Sequence, residues 1–248
     1  MSEDRVAYFI SDLHLTLGRP ELCAAFFNFL PSMAKDATDL FILGDFFNFW
    51  VGDDIQSPLT RQISDALAKL ADQNIRIYFQ HGNRDFAVGE HYARECHMEI
   101  LPEIYSVPFI PKTILLHGDQ LCLDDVKYQR YRRIIRHPIV MKILHCLPKS
   151  WRYRLGLRLR EASKRAQRNR SSADDYSYSN VTAHAVEDVF KQYSASTMIH
   201  GHTHRPNVHQ HTNGKRWVLS DWEASADYIK WDAHNGFVRH TFIIPPVE

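Results

Sequence analysis

Short apolar runs rich in β-branched and aromatic residues recur along the chain, at residues 6–11 (VAYFIS), 39–43 (DLFIL), 75–80 (IRIYFQ), 113–116 (TILL), 197–199 (TMI) and 217–220 (WVLS). Runs of this length and make-up predict buried strands. Between them, residues 20–35 and 59–72 place apolar side chains three and four apart, as Ile63, Leu67 and Leu70 do. That spacing predicts helices lying on a sheet, and the alternation of the two patterns predicts an α/β layered fold.

From Tyr128 to about Asn169 the alternation stops. Two long helical stretches, divided near Pro148, interrupt the strands and predict a helical cap over about 127–170, inserted into one domain spanning 1–248. A polar, Ser-rich stretch at 167–179 then predicts a loop leading to a helix over 180–193.

Each of the first five strands runs into a polar cluster: SDLH, GDFF, HGNRD, HGDQ and HGHTH. In an open α/β sheet, sites assemble outside the carboxyl ends of the strands, so five clusters at five such ends are expected to meet. Asp12 and His14, two apart on an extended backbone, can point the same way, and so can His202 and His204. Asp45, Asn83 and His117 each adjoin a glycine at a further strand end. Any one of these alone reads as a cap or turn residue. Seven oxygen and nitrogen donors together, with no thiolate among them, read as a metal site.

The composition changes the picture little: 44% apolar and 24% charged residues in 248 suit a soluble globular protein. The four cysteines form no CxxC pair, which argues for a reducing compartment and against a zinc ribbon. Acidic residues near Met1, and no 18-residue apolar stretch, predict a cytoplasmic protein without a membrane span. Charge is more informative. The segment 127–170 holds 15 Lys and Arg and one acid, Glu161, for a net +14. The remaining 15 basic and 28 acidic residues leave −13 elsewhere.

The motifs DLH, GD, GNRD, HGD and GHTH, in this order between Ser11 and Arg205, resemble the calcineurin-like metallophosphoesterase superfamily. The resemblance implies a layered β-sandwich flanked by helices. It implies that Asp12, His14, Asp45 and His204 bind one metal and that Asp45, Asn83, His117 and His202 bind the second, with Asp45 as the bridge. It also implies catalytic roles for Asp45, Asn83 and Arg84, and a metal-bridging hydroxide as nucleophile. Mixed Asp, His and Asn ligands suit Mn²⁺ or Fe²⁺, with Zn²⁺ also open; two Mn²⁺ per chain is the expectation.

Arg84 stands where the superfamily commonly has histidine, giving directed N–H donors for phosphate but no general acid. The run GDFFNFWVGDD departs from the Gly-Asp-x-Val-Asp-Arg-Gly element of the protein phosphatases. Taken with SDLHL, HGNRDF, HGDQLCLDD and HGHTHRP, it resembles the UDP-2,3-diacylglucosamine diphosphatases of lipid A biosynthesis, which release UMP and leave 2,3-diacylglucosamine 1-phosphate. The alternative is a hydrolase of a soluble nucleotide or dinucleotide, against which the long basic cap argues.

That resemblance implies substrate contacts from Asn83, Arg84, Asp125, Tyr128, Ser163, Gln167, Arg170 and His202. Asp125 and Tyr128 equally suit the start of the first cap helix, and Ser163 a solvent-facing helix position. The basic, amphipathic cap is expected to cover acyl chains and to meet the anionic inner face of the inner membrane, with no nucleic acid and no obligate protein partner. For any single arginine a solvated or snorkelling role is the simpler expectation. Phe46, Phe47, Phe49 and Trp50 read as packing or as a lipid or uridine pocket. His81 and His200 read as core or supporting groups, and His91, His97, His137 and His145, without partners at ligand spacing, as ordinary residues rather than ligands.

Overall fold

Alternate residues of β1 (Val6–Ile10) face opposite ways, Ala7 and Phe9 into one apolar cluster and Tyr8 and Ile10 into another. The same division holds in β2 (Asp39–Ile42) and β3 (Arg76–Phe79), where Phe41 and Tyr78 go one way and Leu40, Ile42, Ile77 and Phe79 the other. This two-residue period buries a sheet on both faces. The structure, a computed structural model, describes residues 4–169 and 181–246, with side chains as far as Glu161 and again from Val181.

β1, β2, β3 and β4 (Met98–Ile100) run parallel, and β10 (Ser225–Asp232) with β11 (Gly236–Ile243) extends the sheet antiparallel beyond β1. A second sheet has the order β5 (Tyr105–Ser106), β6 (Thr113–Leu115), β7 (Thr197–His200), β9 (Lys215–Val218), β8 (Asn207–Gln210). Its three central strands are parallel and its edges antiparallel. Phe9, Phe41, Leu115, Ile199, Leu219 and Ile229 fill the space between the sheets.

Outside the first sheet lie α1 (Pro20–Met33), α2 (Pro58–Ala71) and α3 (Glu90–Glu95). Outside the second, α7 (Ala183–Gln192) packs Val186 and Phe190 on Ile114, Leu116 and Met198. α2 begins at a capping box in which Ser57 Oγ accepts from Thr60 N and Thr60 Oγ1 accepts from Ser57 N.

The layers are therefore helix, sheet, sheet, helix, the sandwich flanked by helices that the resemblance implies. The five strand ends belong to two mixed sheets rather than to the one open α/β sheet from which their meeting is expected. β4, β5, β8, β10 and β11 carry no clear sequence signal. β4 and β5 are three and two residues long, and in β10 the adjacent Ala226 and Asp227 are both buried, which breaks the alternation.

The cap comprises α4 (Val126–Ile135), α5 (Pro138–Cys146) and α6 (Lys149–Asn169), three helices where the sequence suggests two. Pro138 at the first position of α5 lacks the N–H that would continue α4. No residue of α4 or α5 is buried; Met141 of α5 packs half-buried against the core, and cations supply the polar anchoring of the cap. Arg152 of α6, 5% exposed, donates to the Val51 and Leu147 carbonyls and to both oxygens of Asp54. All four cysteines are free thiols, Cys23, Cys96 and Cys122 buried and Cys146 exposed. Among the described residues no helix is long and apolar enough to cross a membrane.

Candidate metal centre

The five strand ends close on one another through short bonds. Asp12 N donates to Gly44 O (3.1 Å) and His14 N to Asp45 O (2.9 Å), joining the ends of β1 and β2. His202 N donates to Asp12 Oδ2 (2.8 Å), joining the two sheets. Glycine is required where these backbones touch: a Cβ on Gly82 would lie 2.2 Å from Asp45 N, and one on Gly201 2.0 Å from Asp12 Oδ2.

The expectation that strand alternation points the paired ligands the same way is corrected. Asp12, His14, Asp45, His202 and His204 have φ of 57°, 51°, 51°, 64° and 52°, the left-handed region that non-glycine residues rarely occupy. The side chains converge because the chain turns sharply at each of them. Five such conformations at one place are the kind of strain a functional site maintains.

Asn83 Oδ1 lies 3.0 Å from His117 Nε2 and 2.9 Å from His202 Nδ1. His204 Nε2 is 3.2 Å from Asp12 Oδ1, and the oxygens of Asp45 stand 3.9 Å from His14 Nδ1 and 3.7 Å from His117 Nε2. All seven predicted ligands thus share one cluster. Ligand atoms of Asp12, His14 and His204 lie within 4.8 Å of one another, as do those of Asp12, Asp45 and His117. Asp12, not Asp45, is common to these two groups.

The donors fit divalent cations. Both ring nitrogens of His14 are buried with no hydrogen-bond partner, a condition that native interiors avoid. Burial pushes His14 and His202 down to about 4, keeping both neutral near pH 7, as ligation demands. His204 behaves oppositely: burial would lower it, yet its bonds to Asp12 and Asp221 raise it to about 10.

Further groups fix these side chains in place. His117 Nδ1 donates to the Leu43 carbonyl (2.8 Å), leaving Nε2 toward the cluster. Ser11 Oγ donates to Asp12 Oδ2 (2.6 Å) and Arg84 N to Asp45 Oδ1 (2.9 Å). Asp85 accepts from Gly82 N (2.8 Å) and Phe46 N (2.7 Å), tying together the loops after β2 and β3; burial, then the charge of Asp45, pushes it up to about 7.

Arg84 sets its guanidinium 3.4 Å from both Asp45 Oδ2 and Asn48 Oδ1. Tyr128 donates its hydroxyl to Asp119 Oδ2 (2.6 Å) and stacks on His202 with ring centroids 6.2 Å apart. Asp119 also takes Arg132 Nε (2.8 Å) and Arg136 Nη2 (3.2 Å), and Arg136 reaches the Gly82 carbonyl (2.8 Å). Asp125 Oδ1 accepts from Tyr128 N (3.0 Å) as the N-cap of α4, the capping alternative. The side chains of Ser163 and Gln167, and Arg170 altogether, lie outside the described residues.

Of the four aromatics after β2, Phe46, Phe47 and Trp50 are buried in the core. Phe49 meets the cap, its ring 5.7 Å from that of Tyr153. His81 bonds the Val88 carbonyl and His200 bonds Arg216, so neither joins the ligand cluster. Asp85, Asp119, Arg132, Arg136, Arg160 and Asp221 were not foreseen. The one available signal was the acid next to GNR and next to HG in two of the motifs.

The calcineurin-like phosphoesterase family matches this chain over residues 6–206. A UDP-2,3-diacylglucosamine hydrolase of Tolumonas auensis is 44% identical over 230 residues, covering 90% of this chain and 92% of the relative. One from Haemophilus influenzae is 38% identical over 237 residues, 94% of this chain and 98% of the relative. One from Shewanella piezotolerans is 44% identical over 216 residues, 86% and 89% of the two chains. Motifs, cluster and full-length similarity agree, and the chain belongs to the calcineurin-like phosphoesterase family of metal-dependent hydrolases.

Proposed function

We propose that the chain hydrolyses the pyrophosphate of UDP-2,3-diacylglucosamine, giving UMP and 2,3-diacylglucosamine 1-phosphate. The observation that carries this reading is the seven-residue ligand cluster with unpartnered His14 nitrogens, beside a cap that turns Arg132 and Arg136 toward it and exposes Ile139, Ile143 and Trp151 among further basic residues. The similarity to hydrolases named for this substrate supports it over 90% and 94% of the chain.

In this reading Asp12, His14 and His204 would hold one cation and Asn83, His117 and His202 a second, with Asp45 serving both and Mn²⁺ as the proposed ion. When bound, such a pair activates water and offsets charge on the phosphate. Arg84, permanently charged beside Asp45, binds and orients phosphate oxygens; it supplies no proton, and a phosphate leaving group needs none. Arg160, which donates to the Asn48 carbonyl (2.6 Å), adds a second guanidinium on the same side. Tyr128, stacked on His202, limits how far substrate can slide past that ring. By the family resemblance alone, Asp125, Ser163, Gln167 and Arg170 are proposed as further substrate contacts.

Phe49 and Tyr153 line the way toward the acyl chains. Ile139, Ile143 and Trp151, 62%, 58% and 64% exposed, would enter the anionic cytoplasmic surface of the inner membrane. The test is mass spectrometry of products from the lipid nucleotide with metal-depleted protein and after reloading with Mn²⁺. UMP and diacylglucosamine 1-phosphate should form only after reloading. Hydrolysis of bis(p-nitrophenyl) phosphate with the lipid nucleotide left intact would refute this substrate.

A further inference from the structure

Beside the ligand cluster lies a second polar constellation that the chemistry above does not use. The registers of β9 with β7 and β8 pair Met198 with Arg216 and His209 with Arg216, and align both His200 and Asn207 with Val218. His200, Asn207, His209 and Arg216 therefore share the face of the second sheet that α7 covers. A cavity of about 440 Å³ opens there, with Thr203, Arg205, Asn207, His209 and Arg216 as its polar lining and no acid among its described walls. That volume suits a ligand the size of a nucleotide, since such sites run from about 300 to 1,000 Å³.

Arg216 carries the electrostatic argument. It is 7% exposed, yet its guanidinium meets imidazole nitrogens, His200 Nε2 at 3.0 Å and His211 Nε2 at 3.1 Å. No carboxylate pairs with it among the described residues. A buried cation without a counter-charge is costly, which prepares the cavity for an anion. Burial lowers Arg216 only to about 10, so it stays charged at neutral pH.

Topology ties the cavity to the cluster. Thr203 stands between His202 and His204 in the loop after β7. In the order β6, β7, β9, β8, the cap docks on Asp119 just after β6, while the cavity lies at β9 and β8, beyond that loop. A pyrophosphate diester laid across the cluster has two ends. The cap lies on one side of the cluster, and the cavity, which Thr203 of the ligand loop lines, lies on the other.

We propose that this cavity takes the uridine monophosphate half of the substrate and holds UMP as product, an inference that rests on the function proposed above. Guanidinium, amide, hydroxyl and imidazole groups match the phosphate, ribose hydroxyls and pyrimidine carbonyls of that ligand, with no acid among the described lining to repel it.

The test is calorimetric titration of UMP, and separately of inorganic phosphate, into the full-length protein loaded with Mn²⁺. The double variant Asn207→Ala, His209→Ala changes exposed or half-buried side chains and spares the core. UMP should bind the double variant at least about tenfold more weakly than the wild type, with phosphate affinity unchanged. Equal UMP affinity, a parallel loss for phosphate, or no UMP binding by the wild type would overturn the assignment. The lipid-nucleotide assay separates the two claims. If the wild type fails to release UMP from the lipid while the variant still binds UMP more weakly, the cavity stands and the substrate reading falls. If UMP is released but the variant binds it normally, the reverse holds.

Discussion

Asp221 holds His204 by the ring nitrogen that faces away from the cluster: its Oδ2 lies 3.0 Å from His204 Nδ1, while His204 Nε2 faces Asp12 Oδ1 at 3.2 Å. One nitrogen is thereby committed to orienting the ring and the other is left for ligation, the arrangement by which carboxylates support metal-binding histidines. Asp221→Asn keeps the shape and removes the charge. Apparent Mn²⁺ affinity, read by titrating metal into depleted protein, should fall about 10- to 100-fold. Binding as tight as the wild type's would remove Asp221 from this role.

The cluster was legible in the sequence because apolar strands end abruptly, and a donor immediately after such an end has few places to go. Asp221 was not legible, since its meaning depends on His204, 17 positions earlier in the chain, turning its Nδ1 outward. Asp119 and Asp85 were visible as acids in HGDQ and HGNRD. What they do became plain only when Arg132, Arg136 and the backbone of Phe46 were found against them. The left-handed turns at Asp12, His14, Asp45, His202 and His204 contradict local preference and could not be read from it. Likewise β10 pairs along all eight residues with β11, but a buried Asp227 matched to Arg239 breaks the apolar rhythm that marks a strand.

His200 makes stability depend on pH. Burial, reinforced by the charge of Arg216, pushes it down to about 3, so the folded protein keeps it neutral where the unfolded chain, at about 6.5, takes up a proton. Its contribution is therefore complete above about pH 6.5 and is lost as pH falls. Between pH 7.5 and 5.5 the loss is about 1.4 kcal/mol. Urea unfolding of metal-free protein at both pH values measures the slope, which His200→Gln should reduce by that amount. His14, His81 and His202 shift in the same direction, so only the comparison with the variant isolates His200.

Arg152 and Asp54 should respond unequally to removal. Arg152 is 5% exposed and Asp54 45%, so Arg152→Ala leaves an acid that water can reach, whereas Asp54→Ala strands a buried guanidinium on two carbonyls. Asp54→Ala should cost about 3 kcal/mol of cap docking. Arg152→Ala should cost about 1–2 kcal/mol. Hydrogen exchange of the α6 amides reads both, and faster exchange in Arg152→Ala than in Asp54→Ala would contradict the argument.

Asp45 is 2% exposed at the centre of the cluster, far in role from the cap surface. Asp45→Ala should reduce hydrolysis of bis(p-nitrophenyl) phosphate on the order of 10²–10³-fold or more, the scale on which a single electrostatic contact at a reacting centre acts. The same variant should sediment with anionic vesicles as the wild type does. Retained hydrolysis would end the bridging role of Asp45.

Ile139 and Ile143 lie one helical turn apart on α5, on the same exposed face, and no described core packs against them. If that face enters the headgroup region of an anionic bilayer, each side chain transfers apolar area out of water, contributing up to about 1.5–3 kcal/mol when fully covered. Partial covering of the pair still amounts to at least about tenfold in vesicle affinity. Ile139→Gln with Ile143→Gln should therefore shift the protein to the supernatant in sedimentation with anionic vesicles. Hydrolysis of the soluble diester should stay at wild-type rate, because neither residue approaches the ligand cluster. Raising salt should release the wild type as well, since the surrounding arginines act through a potential that falls off within about 10 Å at 0.1 M salt. Vesicle binding that ignores both the double substitution and salt would place the membrane contact elsewhere on the chain.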